Sequence, residues 1–195
     1  VVRDGAVIAT YSGSPLKPFT SYRWKVVCED MNGRHVEAVS TFETGMMTQE
    51  TWRGSWISDA NGVDFKSAAR FRKEFGTRGP VVSARAYIAC AGLYSMEING
   101  HEVGDRVLDP AFTRFDRRIL YSTFDVTSLI GSGANAVGVE LGNGWYNHQA
   151  KATWDFDKAP WRARPAFCMD IRICYADGTV ETISTGSDWK TSSDG

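Results

Sequence analysis

Gly142-Asn143-Gly144-Trp145-Tyr146 ends an alternating run with a flexible turn that presents an amide and two large aromatic rings; Asn147, His148 and Gln149 follow. Sugars stack their C–H faces on aromatic rings and hydrogen-bond to planar amides and carboxylates, so this segment carries the groups a saccharide contact needs. The aperiodic stretch 147–165 adds Trp154 beside Asp155, a stacking face next to an acceptor, with Trp161, Arg162 and Arg164 further on. Asn143, Trp145, Tyr146, Trp154 and Asp155 are therefore the candidate carbohydrate-binding residues. A competing reading makes Trp145 a lid over the end of a β-sandwich and Trp161 a cover for the core edge.

Asp105 and Asp109 lie on a long connection with Asn99, Asp116, Arg114, Arg117 and Arg118. Gathered oxygens there would suit calcium, and these two aspartates are the metal candidates. The neighbouring arginines point instead to ion pairs. No catalytic set accompanies these motifs. A glycosidase needs two carboxylates facing each other across a cleft, and the acidic residues here fall mostly in turns or on polar strand faces. There is no Gly-x-Ser-x-Gly elbow, and His35, His101 and His148 stand in turns or loops with no nucleophile beside them.

The elements that must position these residues are strands. Tyr22, Trp24, Val26 and Cys28 alternate with Arg23, Lys25, Val27 and Glu29, Asn32-Gly33 supplies a turn, and Val36 to Phe42 returns as the second strand of a hairpin. Val7 to Tyr11 reads as a short strand, and Pro15-Leu16-Lys17-Pro18 as an extended loop that cannot sit inside a sheet. Three strands fall short of the seven or so of a fibronectin type III sandwich, so residues 1–47 look like its C-terminal part, with exposed strand edges. After a junction at Thr44 to Gly54, residues 48–195 give strands at 56–58, 68–75, 82–91, 93–98, 121–125, 135–141, 166–175 and 180–184. Asn99-Gly100 and Asp177-Gly178 turn two of these runs, and Thr127 is expected to cap a single helical turn over 127–130. The fold class is all-β: a jelly-roll-like antiparallel β-sandwich after part of a fibronectin type III-like sandwich.

The chain has 195 residues, enough for one full domain and a smaller piece. A net charge of −1 gives no pull toward nucleic acid or anionic membrane, and no apolar run reaches membrane-helix length. Cys28, Cys90, Cys168 and Cys174 have neither Cys-x-x-Cys spacing nor a nearby His, and read as free thiols in strands, with a disulfide frame as the alternative. A chain that opens on Val1 and stops at Gly195 looks cut from a longer protein, which leaves the parent's compartment open.

Seven pieces taken in order resemble a known family: Leu16-x-Pro18-x-x-x-Tyr22-x-Trp24, Phe42-Glu43-Thr44-Gly45, Trp52-x-x-x-Trp56-Ile57, Arg70-x-Arg72-Lys73-Glu74-Phe75, Ala84-Arg85-x-Tyr87, Gly92-x-Tyr94 with Ile98-Asn99-Gly100, and Gly144-Trp145-Tyr146. Their order is similar to the N-terminal region of bacterial α-L-rhamnosidases, glycoside hydrolase family 78. That resemblance implies a fibronectin-like domain before a β-sandwich. It also implies a downstream (α/α) barrel, which carries the acidic residues that invert the anomeric centre of terminal α-L-rhamnose. Some related sandwiches bind L-rhamnose with calcium, but no ligand set transfers to positions here. The expectation is a non-catalytic accessory fragment whose partners are the catalytic barrel and a rhamnose-containing glycan. The alternatives are an autonomous rhamnose-binding module and a purely structural interdomain module.

Overall fold

The computed structural model describes residues 10–151 and 154–193. The chain divides between Thr51 and Trp52 into two compact units. In the first, β1 (Ser21–Glu29) and β2 (His35–Glu43) pair antiparallel from Ser21↔Glu43 to Glu29↔His35. Asp30 fixes the turn by accepting hydrogen bonds from the Asn32 and Arg34 amides at 2.8 and 2.9 Å, with Gly33 at φ +75°. β1 pairs along its whole length, but its burial does not alternate as expected: only Tyr22 is half-buried and the rest of the strand is exposed, and Tyr22 stacks on its cross-strand partner Phe42 at 5.4 Å. Trp24, Val36 and Phe42 remain exposed. Of the strand expected over Val7 to Tyr11, residues 7–9 lie outside the described residues, and 10 and 11 are not in a strand.

The second unit is a sandwich of two antiparallel sheets. Its strands are β3 (Ala69–Gly76), β4 (Val81–Ala91), β5 (Leu93–Ile98), β6 (His101–Glu102), β7 (Tyr121–Asp125), β8 (Ala134–Gly142), β9 (Ala166–Tyr175), β10 (Val180–Ser184) and β11 (Lys190–Ser192). One sheet has the order β10-β9-β4-β7 and the other β11-β3-β8-β5-β6. Alternation explains the core. Ala84, Ala86, Ile88 and Cys90 of β4 and Phe167, Met169, Ile171 and Ile173 of β9 face Phe71, Val137, Val139 and Leu141 of the other sheet. Each fully buried Phe, Ile, Leu or Met stabilises the fold by about 1.5–3 kcal/mol. Phe71 meets Phe167 edge-on at 5.2 Å across the sheets. Among the described residues no helix is long and apolar enough to cross a membrane.

Three expectations need correction. Residues 56–58 make only a single bridge, Ile57↔Phe167, not a strand. The preceding segment is held on the face of β9 turned away from the core. There the buried Asp170 accepts from the Arg53 and Gly54 amides at 2.8 and 2.9 Å, so residues 53–57 cannot pair along their length. Thr127 does not cap its turn. The one-turn 3-10 helix Thr127–Leu129 starts from Val126 without a side-chain cap, while the Thr127 hydroxyl accepts from the Ala84 amide at 2.9 Å and donates to Asp125 at 2.6 Å, tying the turn to β4. The short edge strands β6 and β11 are additional to those expected.

Candidate functional site

Residues of three loops, 59–67, 103–120 and the described part of 143–165 (143–151 and 154–165), build one cluster. The last leaves β8 through Gly144 at φ +51°, where a Cβ would sit 2.9 Å from Leu93 Cγ. Asn147, fully buried, then locks the loop. Its Nδ2 donates to Asn143 Oδ1 at 2.9 Å and to the Val63 carbonyl at 2.8 Å, and its Oδ1 accepts from Arg162 Nε at 3.1 Å. The amide oxygen of Asn143 is thus spent inside the loop. Arg162 also reaches Asp64 at 2.7 Å.

Arg164 does most to join the loops. It donates to both oxygens of Asp59 at 2.7 and 2.8 Å and to the carbonyls of Phe65 and Ser67, each at 2.8 Å. Their side chains are only 8% and 2% exposed. The Arg164 hydrogen bonds hold the Asp59 carboxyl below the usual carboxylate range.

On this frame sits a shelf of aromatic rings. Trp145 stacks on His148 with centroids 5.4 Å apart and planes within 5°, and meets Phe156 edge-on at 5.6 Å. Phe156 also touches Phe112 at 5.8 Å, Trp154 at 5.8 Å and Trp161 at 6.2 Å. Phe115 packs against Phe112, Tyr146 and Trp161 beneath. Trp154 is 72% exposed, Phe112 50% and Trp145 44%, so three rings offer faces or edges to solvent. Burial raises the Tyr146 phenol above its ordinary pKa. Among the described residues, two buried polar atoms in the cluster have no hydrogen-bond partner, Trp161 Nε1 and Asp157 Oδ1.

Of the sugar-site candidates, Trp145, Tyr146 and Trp154 thus join one aromatic cluster. Asp155, exposed in the left-handed region at φ +51°, lies 3.4 Å from Lys158 Nζ. Sequence reasoning missed Phe112, Phe115 and Phe156 as members, and His148 as the stacking partner of Trp145. The signal available was large apolar residues inside otherwise polar, aperiodic loops.

The calcium candidates are not arranged as a metal site. Asp109 Oδ2 accepts from the Tyr94 hydroxyl at 2.5 Å and the Ser122 hydroxyl at 2.6 Å, with Arg106 at 3.9 Å. Asp105 is exposed. Among the described residues no group of three or more His, Cys, Asp or Glu is placed to hold a metal ion. All four cysteines are free, two of them buried. Burial pushes the Cys168 thiol up to about 11.

Residues 79–195 match the alpha-L-rhamnosidase N-terminal domain, and residues 1–48 match the Rha78A-like N-terminal immunoglobulin domain. An alpha-L-rhamnosidase of Formosa agariphila is 30% identical over 97% of this chain and 22% of its own length. One of Streptomyces avermitilis is 38% identical over 65% of this chain and 12% of its own length. Among solved structures, the alpha-L-rhamnosidases of Dictyoglumus thermophilum and Aspergillus terreus superpose with TM-scores of 0.83 and 0.84. They are 34% and 31% identical and cover 94% and 93% of this chain, and 22% of each of those chains. A Pleurotus ostreatus lectin shares the fold alone, at 16% identity and a TM-score of 0.51 over 83% of this chain and 52% of its own. The chain spans about a fifth of the length of the Formosa relatives it matches.

Proposed function

The chain belongs to the family of alpha-L-rhamnosidase N-terminal domains, and from that premise we propose that it is the non-catalytic front part of an enzyme that removes terminal α-L-rhamnose from glycosides or polysaccharides. Its sandwich braces a catalytic (α/α) barrel and helps shape access to it. The supporting observation is the agreement in fold, over more than nine-tenths of this chain, with one end of much longer alpha-L-rhamnosidases. Bracing is tested by removing this segment from the complete enzyme. The remainder is expected to melt several degrees lower; a remainder equally stable and equally active contradicts it.

A second reading, in which the sandwich is itself a carbohydrate-binding module for L-rhamnose, is favoured by the shelf of Phe112, Trp145 and Trp154, since exposed aromatic faces suit sugar C–H surfaces. Calorimetric titration with L-rhamnose, with and without calcium, tests it. Heat that is lost in Trp145→Ala supports the shelf as the site, and no heat at millimolar sugar removes this reading.

A further inference from the structure

The five-stranded sheet carries a groove on the face turned away from the core, with a cavity of 590 Å³. Strand register sets one row straight across all five strands: Lys190, Arg72, Gly138, Glu97, Glu102. The row is cationic on β11 and β3, anionic on β5 and β6, and has no side chain at its centre.

Two features of this row are costly to the fold. Glycine inside a strand weakens it, and it is retained at bulges, positive φ or close approaches of another group. Gly138 meets none of the local reasons. The β3–β8 and β5–β8 pairings run through it without a shift, it is not among the positive-φ glycines, and a Cβ there would meet only the Phe71 carbonyl at 3.9 Å. The missing side chain keeps the groove open. Glu97 and Glu102 are direct cross-strand partners, both exposed, and like charges so placed repel. Among the described residues neither has an ion-pair partner, whereas Arg72 is drawn to Glu74 at 2.7 Å and Arg70 to Glu140 at 2.8 Å.

We propose that this groove is a second ligand surface, distinct from the aromatic shelf, which takes a neutral oligosaccharide lying along the row with one ring over Gly138. Its hydroxyls donate to Glu97 and Glu102 and accept from Arg72 and Lys190. A charged ligand of either sign meets a bank of its own sign. A protein partner lacks an apolar anchor point, because Phe71 and Val139 beneath the groove are buried in the core. Neighbouring strands lie about 4.8 Å apart, close to the breadth of one pyranose ring, so successive rings fall over successive strands.

The choice of an L-rhamnose probe rests on the α-L-rhamnosidase reading; the groove itself does not. The test is a ¹H–¹⁵N titration of the 195-residue chain with a neutral α-L-rhamnose-capped trisaccharide and, as a second arm, a neutral glucan trisaccharide. Shifts centred on the amides of Gly138, Glu97 and Lys190 are expected. Gly138→Val, which fills the groove, should weaken them about tenfold or more, and Glu97→Gln about tenfold, with melting temperatures unchanged or raised in Gly138→Val. Shifts there with the glucan alone retain the groove and count against the rhamnose reading. The proposal is overturned if neither sugar shifts these amides at millimolar concentration, if shifts are confined to the Trp145 and Trp154 loop, or if a folded Gly138→Val variant binds as well as the unaltered chain.

Discussion

Arg164 and Asp59, 105 residues apart in sequence, form a two-pronged ion pair at 2.7 and 2.8 Å that ties the 59–67 loop to the strand-entry end of the loop carrying Trp145 and Trp154. Removing one partner leaves the other charge buried and unpaired, so Arg164→Leu is expected to cost about 3–5 kcal/mol. Urea midpoints check the magnitude, and Trp emission should report loosening of the shelf at the same time.

The pair also sets a pH dependence. Asp59 titrates below its ordinary value in the native state, so its contribution is complete above that ordinary value, about 3.9, and is lost as pH falls through the lowered native value. Asp59→Asn should lower stability at neutral pH and make the loss on acidification shallower. Unfolding free energies measured from neutral pH down to about pH 3 decide; an acid limb as steep as that of the unaltered chain contradicts the assignment.

Gly54 admits no side chain. A Cβ would lie 2.6 Å from Thr185 Oγ1 and 2.7 Å from the Met169 carbonyl, with Asp170 Oδ1 at 3.2 Å. Gly54→Ala should therefore destabilise the sandwich by about 1–3 kcal/mol, seen as a lower urea midpoint.

Among the described residues the buried indole N–H of Trp161 has no acceptor. Trp161→Phe retains an edge toward Phe115 and Phe156 while deleting the unpaired donor, so it should change stability by no more than about 1 kcal/mol. Phe115→Ala, which removes the ring shared by Phe112, Tyr146 and Trp161, should cost about 2–3 kcal/mol. Thermal melts of the two variants side by side test the ordering.

Much of the fold is legible because period 2 marks long strands: the Tyr22 to Cys28 run pairs with 36–42 as the expected hairpin, although its burial does not alternate, and Asn99-Gly100 turns β5 into β6 with both residues at positive φ. Two- and three-residue edge strands such as β6 and β11 are too short to show a period. Trp56 to Ser58 reads as a strand from its apolar residues, yet Asp170, more than a hundred residues away, pins the segment just before it. The same limit applies at the site. Trp145, Tyr146 and Trp154 announce themselves by type and spacing, whereas Phe112, Phe115, Phe156 and the Asp59–Arg164 pair acquire meaning only when three loops meet.

The most direct test of the proposed role is incubation of the purified 195-residue chain with p-nitrophenyl α-L-rhamnoside, followed by absorbance of released p-nitrophenolate. A non-catalytic accessory part predicts release no faster than in buffer alone. Sustained release proportional to chain concentration, with contaminating enzyme excluded, would contradict it.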